Sequence, residues 1–141
     1  MKRFTDRVAL LTGAGRGIGA ATALRLAAEG AAVVVSDIDA APAREVVAAV
    51  EAAGGQGLAV ACDVTRRDSV ESLFAEAAER FGRVDVLVAC AGVIRDNLVH
   101  RMTDDDWNTV LATHLTGTFL CAQAAQRLMV ERRYGRMVFL S

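Results

Sequence analysis

Val8-Ala9-Leu10-Leu11-Thr12-Gly13-Ala14-Gly15-Arg16-Gly17-Ile18-Gly19 carries a short apolar strand through clustered glycines and directly into a helical pattern. Val8 to Leu11 has strand length and no polar residue. From Gly17 to Glu29 the period becomes helical: Thr22, Arg25 and Glu29 share a polar face, with Arg25 and Glu29 an i,i+4 pair, while Ile18, Ala21, Leu24 and Ala28 lie elsewhere around the helix. Gly30 supplies a C-terminal stop. Glycines at a strand-to-helix turn let the backbone approach a pyrophosphate, and the free N–H groups opening the helix can bind its oxygens.

Outward from this turn the same alternation repeats. Ala31 to Ser36 reads as a β-branched strand, and Pro42 suits the first turn of a helix running to about Ala53, which Gly54 closes. Leu58 to Ala61 reads as a third strand. Thr65-Arg66-Arg67-Asp68 resembles a capping box with aspartate in the glutamate position, and Val70, Leu73, Phe74, Ala77 and Phe81 then follow helical spacing to Gly82. Val84 to Ala89 is a fourth strand whose one charge is Asp85. Thr103-Asp104-Asp105-Asp106 is a helix start rather than a metal site, because acidic residues suit the positive end of the helix dipole. The helical region from about Asp105 to Glu131 contains Gly117, marking either a break or close packing, and Met137 to Leu140 is a fifth strand. Strands apolar on both faces and joined by helical crossovers predict a parallel sheet covered on both sides, with right-handed connections. The architecture is doubly wound α/β, Rossmann-like.

Composition agrees with a buried core. Of 141 residues, 53% are hydrophobic and one is proline, as expected for one domain. The net charge of -1 offers no broad field for nucleic acid or an anionic membrane, so neither partner is expected. No stretch approaches the roughly 18 apolar residues of a spanning helix, and the N-terminal apolar run is too short for a signal peptide. Cys62, Cys90 and Cys121 are widely spaced without a C-x-x-C pattern, predicting reduced, buried thiols, no metal and a cytoplasmic setting.

Context strengthens the glycine signal, because Asp37 stands at the end of the next strand, where a carboxylate can accept hydrogen bonds from ribose hydroxyls. A P-loop is excluded, since it needs G-K-[ST] and no lysine follows Lys2. The expected ligand is therefore a dinucleotide. Asp37 also predicts NAD over NADP: a 2′-phosphate about 4 Å from the carboxylate would meet repulsion of about 4 kcal/mol per unit charge at an effective dielectric near 20. That corresponds to roughly a thousandfold in affinity. Arg16 could offset part of this, but Ile38 and Asp39 add no second cation.

Thr12-Gly13-Ala14-Gly15-Arg16-Gly17-Ile18-Gly19 matches the T-G-x-x-x-G-x-G motif of the short-chain dehydrogenases/reductases, and the resemblance covers the whole chain. It implies that the cofactor is held by Gly13, Gly15, Arg16, Gly17, Ile18, Gly19, Asp37 and Ile38. Cys62-Asp63-Val64 resembles the family's D-[VL] after the third strand, which implies adenine contacts at Asp63 and Val64. Ala89-Cys90-Ala91-Gly92 stands where the family has N-N-A-G, so Cys90, Ala91 and Gly92 fall on the cofactor side although both asparagines are replaced. Gly92-Val93-Ile94-Arg95-Asp96-Asn97-Leu98 and Met102-Thr103-Asp104-Asp105-Asp106-Trp107 look most like 3-oxoacyl-thioester reductases, implying a small-molecule acyl thioester substrate.

The family's catalytic asparagine, in an N-x-x-G context, aligns with His114 in His114-Leu115-Thr116-Gly117, which makes His114 the candidate catalytic residue; His100 matches no motif. Ser141 matches the first of the family's Ser-Ser pair. The resemblance thus puts the carbonyl-polarising serine at the following position and the Y-x-x-x-K pair beyond it. Tyr134 cannot substitute, because Val138 stands four positions later. The expectation is an N-terminal part holding five strands, with the C-terminal strands and helices missing, from a protein that is a homodimer or homotetramer when complete. Two functional readings stay open: a hydride-transferring enzyme, or a nucleotide-binding module without turnover.

Overall fold

The computed structural model describes residues 2–141. Five strands form one sheet in the order β3-β2-β1-β4-β5, all pairs parallel: β1 (Val8–Thr12), β2 (Ala32–Asp37), β3 (Gln56–Ala61), β4 (Val86–Ala89) and β5 (Arg136–Phe139). Leu10 pairs with Val34 on one side and with Leu87 on the other, which makes β1 the centre of the sheet. Its five residues are all buried, as a continuous apolar run requires when helices cover both faces.

Alternate side chains of each strand feed two cores. Ala9, Leu11, Val33 and Val35 face α1 (Gly17–Ala28) and α2 (Ala40–Ala52), meeting Ala23, Ala43, Val46, Val47 and Val50. Leu10, Val34 and Leu87 face the other layer, α3 (Arg67–Phe81) and α5 (Gly117–Glu131), against Leu73, Phe74, Leu120, Cys121 and Ala125. The doubly wound α/β architecture read from the sequence is the one observed.

Several boundaries differ, each for a local reason. β4 begins at Val86 rather than Val84, because the buried Asp85 turns inward to accept the Val8 N–H at 2.9 Å and the Arg83 guanidinium at 2.6 and 2.8 Å. The box expected at Thr65 does not form. Thr65 instead gives its N–H and hydroxyl to Asp63 Oδ1 at 2.9 and 2.7 Å, while Asp68 pairs with Arg66 at 2.6 Å and the helix starts at Arg67 without a side-chain cap. Thr103 and Asp106 do form a reciprocal box, opening α4 (Asp104–Leu111).

The helical region through Gly117 is interrupted one turn earlier than the glycine. α4 ends at Leu111, a wide π turn occupies Ala112–Thr116, and α5 resumes with Gly117 in ordinary helical geometry. Within the turn the Thr113 hydroxyl donates to the Thr109 carbonyl at 2.9 Å, a side-chain bond that competes with the regular ladder. Gly117 answers a packing need: a Cβ there would lie 2.8 Å from Val64 Cγ2.

Candidate functional site

β1 sits between β2 and β4, so chain connections leave it in opposite directions and open a crevice at the C-terminal strand ends. A cleft of about 400 Å³ lies there, bordered by Gly13, Asp37, Asp63, Cys90, Ala91 and Gly92. Ile38 and Val64 also line it, as do Arg95, Thr109 and Thr113. A hollow of about 590 Å³ opens at the opposite end of the sheet, beside Gly30, Gly54 and Phe81, where α1, α2 and α3 end. Helix C-termini carry the negative end of the dipole, the wrong sign for a pyrophosphate.

The glycine loop is shaped by contacts that exclude side chains. Gly13 has φ of 60°, and a Cβ on it would lie 2.6 Å from the backbone of Ala91. One on Gly19 would lie 2.7 Å from Ala14 Cα, so the loop closes tightly on its own helix. Gly17 is different: its φ is 56° and the space beside it is open. Arg16, the N-cap of α1, provides no side-chain cap, and the first turn has no acidic residue. The opening N–H groups of α1 therefore have no side-chain acceptor and suit an anion. Ile18 is 68% exposed in that turn and available for contact.

Asp37 is held where β2 ends. Its Oδ2 accepts the Gly15 N–H at 2.9 Å and its Oδ1 accepts the Asp39 N–H at 3.3 Å. A side chain on Gly15 would collide with this carboxylate and with Pro42 in α2. Across the loop, Arg16 Nη2 stands 3.8 Å from Asp39 Oδ2, both side chains being well exposed. Asp63 is tied by its Thr65 bonds at the edge of the cleft, and Val64 is buried beneath it.

After β4, the Cys90 N–H donates to the Thr12 carbonyl at 3.1 Å, and the Ala91 N–H lies 3.5 Å from the Thr12 hydroxyl. Cys90 and Ala91 thus enter the cleft with backbone support from β1. Cys62 and Cys121 are buried and Cys90 half-buried; none forms a disulfide among the described residues. Burial raises all three thiols, Cys121 to about 12, so they are poor nucleophiles.

His114 lies on the π turn, exposed, outside the cleft lining. Its Nε2 is 2.9 Å from the Val93 carbonyl oxygen and 3.1 Å from the Val93 nitrogen, so either tautomer can bond that backbone. A Cβ on Gly92 would lie 2.6 Å from the His114 ring. π turns interrupt α-helices frequently at functional sites, and here the turn brings His114 against the loop after β4. His100 is exposed on the short 3₁₀ turn Val99–Arg101 and does not line the cleft.

Thr12, Arg95, Thr109 and Thr113 were not singled out by sequence as site residues, yet they support or line the cleft. Thr109 and Thr113, four apart on one helical face, left a polar i,i+4 signal. Arg95 left none, because the loop that aims it has no period. No helix among the described residues is long and apolar enough to cross a membrane.

Residues 7–141 match the family model described as short chain dehydrogenase. The chain is 49% identical over 136 residues to the short-chain reductase protein NovJ of Streptomyces niveus, covering 96% of this chain and 52% of that protein. It is 45% identical over 139 residues to the 3-oxoacyl-[acyl-carrier-protein] reductase of Synechocystis sp., covering 98% of this chain and 56% of the relative. A short-chain type dehydrogenase/reductase from Mycobacterium marinum superposes with a TM-score of 0.92 at 32% identity, over 95% of this chain and 55% of that one. The chain spans about half the length of the curated relatives it matches. With the glycine turn, the parallel sheet and the match over nearly its full length, the chain belongs to the short-chain dehydrogenase family of oxidoreductases, which work with nicotinamide dinucleotides.

Proposed function

We propose that this chain is the dinucleotide-binding part, through the fifth strand, of an oxidoreductase that exchanges hydride between NAD and the β-carbon of a 3-oxo or 3-hydroxy acyl thioester. The observation that carries the cofactor reading is Asp37, anchored by the Gly15 and Asp39 N–H groups beside the cleft and the opening turn of α1. Likeness to 3-oxoacyl-[acyl-carrier-protein] reductases, including that of Escherichia coli at 39% identity, supports the substrate class.

The residues present suit the cofactor chemically. The N–H groups at Gly17, Ile18 and Gly19 would receive the pyrophosphate, with Gly13 and Gly15 keeping the backbone low and Arg16 turned to the Asp39 side of the loop, toward the adenosine ribose. Asp37 would accept the adenosine ribose hydroxyls, Ile38 would lie beside that ribose, and Asp63 and Val64 would meet the adenine. Cys90, Ala91 and Gly92 would border the second ribose, and His114, bonded to the Val93 backbone, positions the loop after β4. Bound there, the nicotinamide ring would donate or accept the hydride. The three unpaired thiols fit a reducing, cytoplasmic setting.

Parallel calorimetric titrations with NAD and NADP test the cofactor reading. NAD is expected to bind more tightly, by up to about a thousandfold if the full repulsion at Asp37 is felt. Equal or tighter binding of NADP overturns the preference, and binding of neither overturns the site.

A further inference from the structure

Asp37 lines the cleft and two further charged groups, Arg16 and Asp39, stand beside it, and their pairing decides which of them can act on a ligand. Asp37 is fixed by two backbone N–H groups, at 2.9 and 3.3 Å, and cannot turn away from an incoming anion without losing them. Arg16 is the sole cation of the glycine loop, and its guanidinium makes no bond to backbone or to Asp37; its partner is Asp39, at 3.8 Å. Arg16 occupies the N-cap position of α1 and Asp39 that of α2, neither side chain capping its helix, so the ion pair spans the starts of two neighbouring helices, and Ile38 between the acids adds no charge.

We infer that Asp39 is a specificity-determining residue: by holding Arg16 it withholds the one guanidinium that could neutralise the 2′-phosphate of NADP, adding to the discrimination made by Asp37. This rests on the dinucleotide-binding reading above. Asp39 offers its carboxylate to Arg16 and does not line the cleft, so it acts on selectivity through its partner. NAD lacks the 2′-phosphate, and its affinity is indifferent to where Arg16 rests.

The test is a double-mutant cycle read by dinucleotide affinity. Asp39→Asn keeps a residue competent at a helix N-cap while removing the charge. NADP affinity is expected to rise about two- to fivefold, the scale of an exposed ion pair, with NAD affinity unchanged. In an Arg16→Gln background the same substitution is expected to have no effect on NADP. Unaltered NADP affinity in Asp39→Asn overturns the inference; so does an equal gain in the Arg16→Gln background, which would mean that Asp39 repels the phosphate directly. The wild-type chain in the same titrations separates the two levels: if it binds NAD and these variants fail the cycle, only the role of Asp39 falls, whereas binding of neither dinucleotide removes the site itself.

Discussion

At the scale of single residues, two glycines of the cleft show how the same substitution has different costs. An added methyl at Gly13 meets the Ala91 backbone at 2.6 Å and must also hold a φ of 60°. Backbone cannot step aside, so Gly13→Ala is expected to destabilise by about 1–3 kcal/mol. At Gly92 the methyl meets the end of the His114 side chain, also at 2.6 Å, and a ring can rotate away. Gly92→Ala is expected to cost less than Gly13→Ala in urea unfolding and to break the His114–Val93 contact, shifting the His114 ring resonances. Equal costs, or an unmoved ring, would contradict this. The glycine at position 13 was legible because the motif names it; the partner of Gly92 was not, because a residue twenty-odd positions later becomes its neighbour only through the π turn.

At the scale of elements, α4 depends on its cap. Thr103 accepts the Asp106 N–H at 3.1 Å, Asp106 accepts the Thr103 N–H at 3.2 Å, and no residue of α4 is buried. With little packing to support it, the helix should feel the loss of its cap: Thr103→Ala is expected to cost about 1 kcal/mol, seen as faster amide exchange confined to α4 and the π turn. Undisturbed exchange there would show that the cap is dispensable. Thr65 and Thr103 carry the same signature, an aspartate three residues on, and only Thr103 caps. Asp63 decides the difference, because its carboxylate captures Thr65 before the helix begins.

α1 and the segment preceding β1 are joined through one carboxylate. Arg3 bonds both oxygens of Glu29, and Arg25 reaches it at 2.6 Å. The hydrogen bonds from Arg3 and then Arg25 hold the Glu29 carboxyl at about 2, against 4.5 for the free group. Because the folded value is the lower one, this stabilisation is complete above about pH 4.5 and is lost as pH falls through about 2. Glu29→Gln is therefore expected to flatten the acid limb of the melting-temperature profile between those values; an unchanged limb would refute the link. Asp85 works in the same sense just before β4. Burial alone would raise its carboxyl, but Arg83, the Val8 N–H and Arg7 outweigh burial and hold it below the ordinary aspartate range.

At the scale of the whole molecule, the sheet has a bare edge. Val138 and Phe139 of β5 are each 50% exposed, and Phe119 and Val130 of α5 are 54% and 63% exposed. Unpaired strand edges and apolar helix faces favour association. Purified residues 1–141 are expected to associate with rising concentration in light scattering, and a monomer at all concentrations would contradict this. They are also expected to bind NAD without reducing a 3-oxoacyl thioester. The one tyrosine, Tyr134, lies under Arg7 at the end of the sheet away from the cleft, 3.8 Å from that guanidinium, and Lys2 is the one lysine. A positioned acid/base group is worth about 10²–10⁴-fold, so measurable turnover by this chain would overturn the expectation.

By itself the sequence determined what is local: the strand–glycine–helix turn, the alternation of β and α, the acid at the end of β2 and the stop at each helix-ending glycine. These follow from backbone freedom and hydrophobic period within a few residues of one another. Tertiary structure alone decided which charges act together. Asp85 became the buried tie between β1 and β4, Asp39 became the partner of Arg16, and His114 met Val93, because parallel pairing and a π turn bring distant residues to hydrogen-bonding range. Charge acts by distance in space, and no spacing along the chain records that distance.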